Sequence, residues 1–178
     1  MRHTINFFFL ALTLAIGTLL LIQPGMSTAA APRLPVSRQG TLDLENWQPE
    51  HDECLPLAGQ WEFYWGALLS PHDFRSANLP SKTGWFTMPS VWNGTVVDGR
   101  ELDGNGFATF RLRLRGVSGQ KRLALLIPYA FCAYRLWIND RPAASVGHVG
   151  PSADQMEPDY RPRTAIIHSP RHGEVVLT

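Results

Sequence analysis

The chain has 178 residues, 44% hydrophobic and 17% charged, which suits one ordinary domain and excludes a disordered tail. Its 14 prolines and 15 glycines favour many turns over long helices. Once Arg2 is set aside with the leader, basic and acidic residues balance at 15 each. Charge therefore gives no reason to expect nucleic acid or an anionic membrane surface as partner.

Arg2 and His3 precede an apolar stretch, residues 5–22, broken only by Asn6, Thr13, Gly17 and Thr18. Pro24 and Gly25 end it, and the small residues 27–31 carry the spacing that a signal peptidase accepts. Residues 1–31 are therefore a signal peptide. Alternatively they are a retained anchor, since the stretch reaches the lower limit of about 17–25 residues for a membrane span. In either case the remainder is exported, to the periplasm in a bacterium. No cysteine in this segment offers lipid attachment.

Residues 32–40, with two prolines and no periodicity, read as a linker. Beyond it, short apolar runs alternate with turn signals, the pattern of a β-sandwich. Within 55–65, Trp61, Phe63 and Trp65 share one face of a strand, and Glu62 and Tyr64 the other. Ser70, Pro71, His72 and Asp73 announce a short helix with Ser70 at its cap. Strand 107–115 sets Ala108, Phe110, Leu112 and Leu114 against Thr109, Arg111, Arg113 and Arg115.

Residues 123–128 are apolar on both faces, as a central strand would be. Residues 130–138 follow, and Asn139-Asp140 marks a hairpin turn into 142–146. Residues 151–162 are loop, and 164–167 and 174–178 are the last strands. The final run reaches Thr178 without a turn, so the domain is expected to lack its last strand or strands and to leave an exposed sheet edge. The expected organisation is a leader (1–31), a linker (32–40) and an all-β domain (41–178).

No nucleophile motif, phosphate loop or metal motif is present, so the chain is expected not to be an enzyme and to need no cofactor. His168 and His172 stand four apart, but Pro170 and Gly173 argue against a helix that would align them as metal ligands. Acidic groups Asp52/Glu53 and Asp98/Glu101/Asp103 read as solvated loop and not as a catalytic carboxylate pair. The arginine row Arg111, Arg113 and Arg115, with Lys121 and Arg122 nearby, is either a basic groove or, on the preferred reading, the solvent face of an outer strand.

Cys54 and Cys132 allow one disulfide in an oxidising compartment. Alternatively each is a small buried hydrophobe. Loop aromatics are the most suggestive feature. Trp85, Trp92 and Tyr160 stand in expected loops, with Asn93 and Arg161 beside two of them. Flat rings can stack on the apolar faces of sugars while neighbouring amide or guanidinium groups bond the hydroxyls. The same rings could instead plug the ends of the sandwich.

Several blocks, taken in order, resemble a known family. They are Gly40-Thr-Leu-Asp-Leu44, Leu57-Ala-Gly-Gln-Trp-Glu-Phe-Tyr-Trp-Gly66 and Leu69-Ser-Pro-His-Asp-Phe74, then Met88-Pro-Ser-Val-Trp-Asn93 and Gly106-Phe-Ala-Thr-Phe-Arg111. Ala133-Tyr-Arg-Leu-Trp-Ile-Asn139 and Gly147-His-Val-Gly-Pro-Ser152, with Pro158 and Tyr160-Arg-Pro162, continue the match. Together they resemble the extracellular sensory domain of bacterial seven-transmembrane receptors with diverse intracellular signalling modules. More distantly, they are similar to the sugar-binding jelly roll of family 2 glycoside hydrolases.

The resemblance implies a galactose-binding-like jelly roll that senses a carbohydrate or another small ligand. The membrane region of a full-length receptor would be its partner. The alternative is the non-catalytic sugar-binding module of a secreted glycoside hydrolase.

Overall fold

The computed structural model describes residues 34–47, 54–117, 123–168 and 173–178. Residues 1–31, the expected leader, lie outside the described residues, as do Asp52, Glu53, Lys121, Arg122 and His172. Among the described residues, no helix is long and apolar enough to cross a membrane.

The alternating sequence becomes strand almost throughout. In chain order these are β1 (Thr41–Asp43), β2 (Gly59–Trp65), β3 (Gly84–Met88), β4 (Val96–Val97), β5 (Arg100–Glu101) and β6 (Ala108–Arg115). Then come β7 (Leu123–Ile127), β8 (Tyr134–Ile138), β9 (Arg141–Val146), β10 (Arg163–Ile167) and β11 (Glu174–Leu177). The large sheet runs β3-β2-β6-β11-β8-β9, with β1 added parallel to the C-terminal half of β6. β7 and β10 form a second, antiparallel sheet, and β4 and β5 a small hairpin. The protein is all-β, and its sheets pack as a β-sandwich of the jelly-roll kind.

Period-two alternation decides where the core lies. Leu112 and Leu114 of β6, Leu42 of β1 and Val175 and Leu177 of β11 meet Ala165 and Ile167 of β10, with Leu123 and Leu125 of β7 against them. Each such burial contributes about 1.5–3 kcal/mol. A second core gathers Phe63, Phe86, Val97 and Leu102, walled by Trp65, Trp92 and Phe110. Here aromatic pairs replace the aliphatic packing, with Phe63 5.2 Å from Phe86 and 5.1 Å from Phe110.

Several expectations are corrected. The run 34–40 is not a free linker. Ser37 is buried, its amide donates to Ala58 O and its carbonyl accepts from Gln60 N, so it borders β2. β6 is interior and not an outer strand. β7 is not central: it pairs with β10 in a two-stranded sheet, and Leu126 on its outer face is exposed.

β11 lies between β6 and β8. The helix expected at Ser70 shrinks to one 3₁₀ turn (Asp73–Arg75), where the Asp73 carboxylate accepts from both the amide and the hydroxyl of Ser70. Cys132 falls in the bend before β8 and not on the strand.

The β8–β9 hairpin forms where Asn139-Asp140 placed it, with Ile138 paired to Arg141. Asn139 takes φ +56°, a conformation asparagine tolerates better than most residues. Its side chain then accepts a 2.8 Å bond from Val176 N while its own amide donates to Val176 O. One residue thus turns the hairpin and ties it to β11.

Candidate functional site

At one end of the sandwich three exposed rings adjoin one another. Tyr129 and Phe131 belong to the β7–β8 connection and Tyr160 to the β9–β10 connection. Ring centroids are 6.5 Å apart for Tyr129–Phe131 and 6.2 Å for Phe131–Tyr160, with planes tilted by 37° and 58°. They form an angled wall open to solvent, with Phe131 76% exposed, Tyr129 60% and Tyr160 53%.

The backbone brings the two connections together. Phe131 adopts φ +55°, a left-handed conformation that costs a bulky residue on the order of 1–3 kcal/mol. Gly147, at φ +66°, lets the end of β9 approach the facing segment: a Cβ there would lie 2.1 Å from Glu157 O and 3.1 Å from both Ala133 Cβ and Asp159 N. His148 and Glu157 exchange two backbone bonds and close the loop between them.

Asp159 fixes the approach to Tyr160. Its carboxylate accepts 2.6 Å from Arg161 Nε and 2.7 Å from Tyr160 N, and these bonds hold its pKa below the usual carboxylate range. The same contact, with the hydrogen bond foremost, raises the pKa of Arg161. The guanidinium is thereby tied to Asp159 and otherwise exposed. Aromatic wall and oriented donors together can stack a flat apolar face and bond its hydroxyls.

The five residues singled out from sequence divide. Tyr160 and Arg161 belong to this cluster, while Tyr129 and Phe131 were missed there. Trp92 packs into the second core, edge-on to Trp65 at 5.6 Å and stacked on Phe110 at 6.4 Å. Asn93 is exposed on the turn after it. Trp85 lies on β3, half-buried. One face of its ring carries the Lys82 ammonium 3.2 Å from the centroid, and its edge sits against Gly40. Of the two tryptophans, Trp92 is thus part of a core. Tyr129 and Phe131 flank Ala130 immediately after Pro128, and that spacing was the available signal.

In the arginine row Arg115 is exposed, as a solvent face would have it, whereas Arg111 and Arg113 are partly buried beside a carboxylate. Glu62 of β2, buried on the outer face of the large sheet, stands opposite Arg111. Its carboxylate accepts from Arg113 and, at 3.2 Å, from the Tyr64 hydroxyl. Burial, then the charge of Glu62, pushes the Tyr64 pKa up to about 12. Arg115 pairs with Glu174 at 3.2 Å.

The weighed disulfide is not formed: Cys54 is an exposed free thiol and Cys132 a half-buried one whose pKa burial raises. Exposure also removes the buried-hydrophobe reading for Cys54. Among the described residues, no three His, Cys, Asp or Glu side chains cluster as a metal site would require.

No family model and no curated protein matches the chain. Among solved structures it is similar to a Faecalibacterium prausnitzii beta-glucuronidase, at 17% identity and a TM-score of 0.47. The match covers 73% of this chain and 22% of that one.

Proposed function

We propose that this chain is a ligand-binding β-sandwich domain that takes a carbohydrate or a similar small molecule at its aromatic end. One observation carries the reading: Tyr129, Phe131 and Tyr160 stay exposed side by side, although burying them would be the cheaper packing, and Phe131 holds a costly backbone angle there. Binding uses ring stacking and hydrogen bonds from Arg161, with no catalysis and no cofactor.

The leader sequence supports export to the periplasm. The ordered blocks from Gly40 to Pro162 support a sensory domain of the seven-transmembrane receptor type. In such a receptor, bound ligand would bias a conformational equilibrium in the attached membrane region. Titration of the purified chain with a panel of mono- and oligosaccharides tests the binding claim, with saturable heat expected for at least one. Flat traces throughout would remove it. The receptor claim has its own test in the coding sequence beyond Thr178. Several apolar spans of about 20 residues are expected there, and a soluble domain bearing paired carboxylates would point instead to a hydrolase module.

A further inference from the structure

We propose that Asn105 is a site of spontaneous deamidation, while the fold protects the same dipeptide at Asn93. Both asparagines precede a glycine, Asn93-Gly94 and Asn105-Gly106, and both are exposed. An asparagine before glycine is prone to cyclise, because a residue without Cβ lets its nitrogen approach the side chain closely. The Gly106 nitrogen bonds to Cγ of Asn105 as the bond from Cγ to the side-chain nitrogen breaks, and the displaced proton leaves with that nitrogen as ammonia. Water then opens the succinimide ring at either carbonyl, giving aspartate or isoaspartate.

What separates the two pairs is the state of the attacking nitrogen. Gly94 N donates 2.8 Å to Leu102 O, and Leu102 N returns 2.9 Å to Thr95 O. Thr95 closes the turn further, its amide donating 2.8 Å to Trp92 O and its hydroxyl 2.9 Å to Val91 O. Leu102, the anchor of this ladder, is 2% exposed in the second core. Cyclisation at Asn93 therefore waits on a local opening that uncovers a core leucine. Among the described residues Gly106 N donates to no protein acceptor. The bond at that turn runs from Asn105 N to Asp103 Oδ1 at 2.6 Å and leaves the attacking nitrogen free.

Packing explains why glycine stands at 106. It does not take the left-handed angle that many turns demand of glycine. Instead, a Cβ there would lie 2.2 Å from Trp65 Cη2 and 2.4 Å from Cζ2. The indole of Trp65, which walls the second core, needs that surface bare. The reactive pair is thus a by-product of the seat for Trp65. Deamidation adds a negative charge to a region already holding exposed Asp98, Glu101 and Asp103. The isoaspartate form also lengthens the backbone by a methylene beside that seat.

The test incubates the purified full chain in mildly alkaline buffer, folded and in urea, and follows ammonia release together with peptide mapping by mass spectrometry. In the folded chain the peptide carrying Asn105 should convert about 10-fold or more faster than the one carrying Asn93, whose hydrogen-bonded ladder must open first. In urea both turns are released, and the two rates should come within about 3-fold of each other. Asn105→Gln, whose longer side chain would have to close a six-membered ring, should remove most of the ammonia released by the folded chain. Equal rates at the two asparagines in the folded chain, an unchanged ammonia yield from Asn105→Gln, or an Asn93 that stays slow in urea would overturn the proposal.

Discussion

Glu62 and Arg111 face each other in register across β2 and β6, yet the carboxylate of Glu62 makes its closer contact with Arg113, two residues along. The outer face of the sheet is therefore organised around one buried anion shared by several partners. Glu62→Gln removes that anion and leaves two partly buried guanidiniums to repel each other. A loss of about 2–3 kcal/mol is expected, read from urea unfolding. A loss below about 0.5 kcal/mol, the range of ordinary surface changes, would show that the network is solvated.

Tyr64 makes the same network visible to pH. Its hydroxyl is held protonated up to about 12, against 10.0 for a free tyrosine. Folding favours the neutral form, so the stabilisation is fully present below pH 10 and is lost as pH rises through 12. The melting temperature should fall more steeply over that window in the parent chain than in Tyr64→Phe. Equal slopes would contradict the coupling to Glu62.

Gly59 tests whether residues 34–40 belong to the domain. It adopts φ +110°, and a Cβ would lie 2.3 Å from Ser37 O and 2.7 Å from Ser37 Oγ. Gly59→Ala should destabilise by about 3 kcal/mol or more, because neither the angle nor the space accommodates the methyl group. A near-neutral effect would return those residues to linker status.

Much of the fold was legible in the sequence because strands advertise themselves by period two. The two faces of β6 and the alternation in β2 came from that rule, and the β8–β9 hairpin came from its turn residues Asn139-Asp140. Pairing partners were not legible. Nothing in the run Leu123–Ile127 distinguishes a strand of a two-stranded layer from a central one, since alternation reports burial and not neighbours. Nor did the sequence reveal that β11 is flanked by β6 and β8.

The site was half legible for a related reason. Trp92 and Tyr160 both stand beside turn residues, but which ring packs and which stays exposed depends on long-range contacts. Phe110 and Trp65 claim Trp92, whereas Tyr160 adjoins the exposed ring of Phe131.

That division predicts opposite behaviour for two aromatic truncations. Trp92→Ala should cost about 3 kcal/mol or more of stability through the second core. Tyr160→Ala should stay within about 0.5 kcal/mol. At the neighbouring position, Phe131→Gly relieves the left-handed backbone and should stabilise by about 1 kcal/mol, which Phe131→Ala should not. Thermal unfolding of the four variants decides it, and comparable losses for Trp92→Ala and Tyr160→Ala would erase the distinction between core and platform.

The central claim is that the exposed rings bind a ligand. Its most direct test is calorimetric titration of a saccharide panel into the parent chain and into Tyr160→Ala and Phe131→Ala. Saturable heat is predicted for at least one sugar with the parent, weakened about 10-fold or more in both variants while their folds persist. Flat traces from the parent, or binding that survives both truncations unchanged, would contradict it.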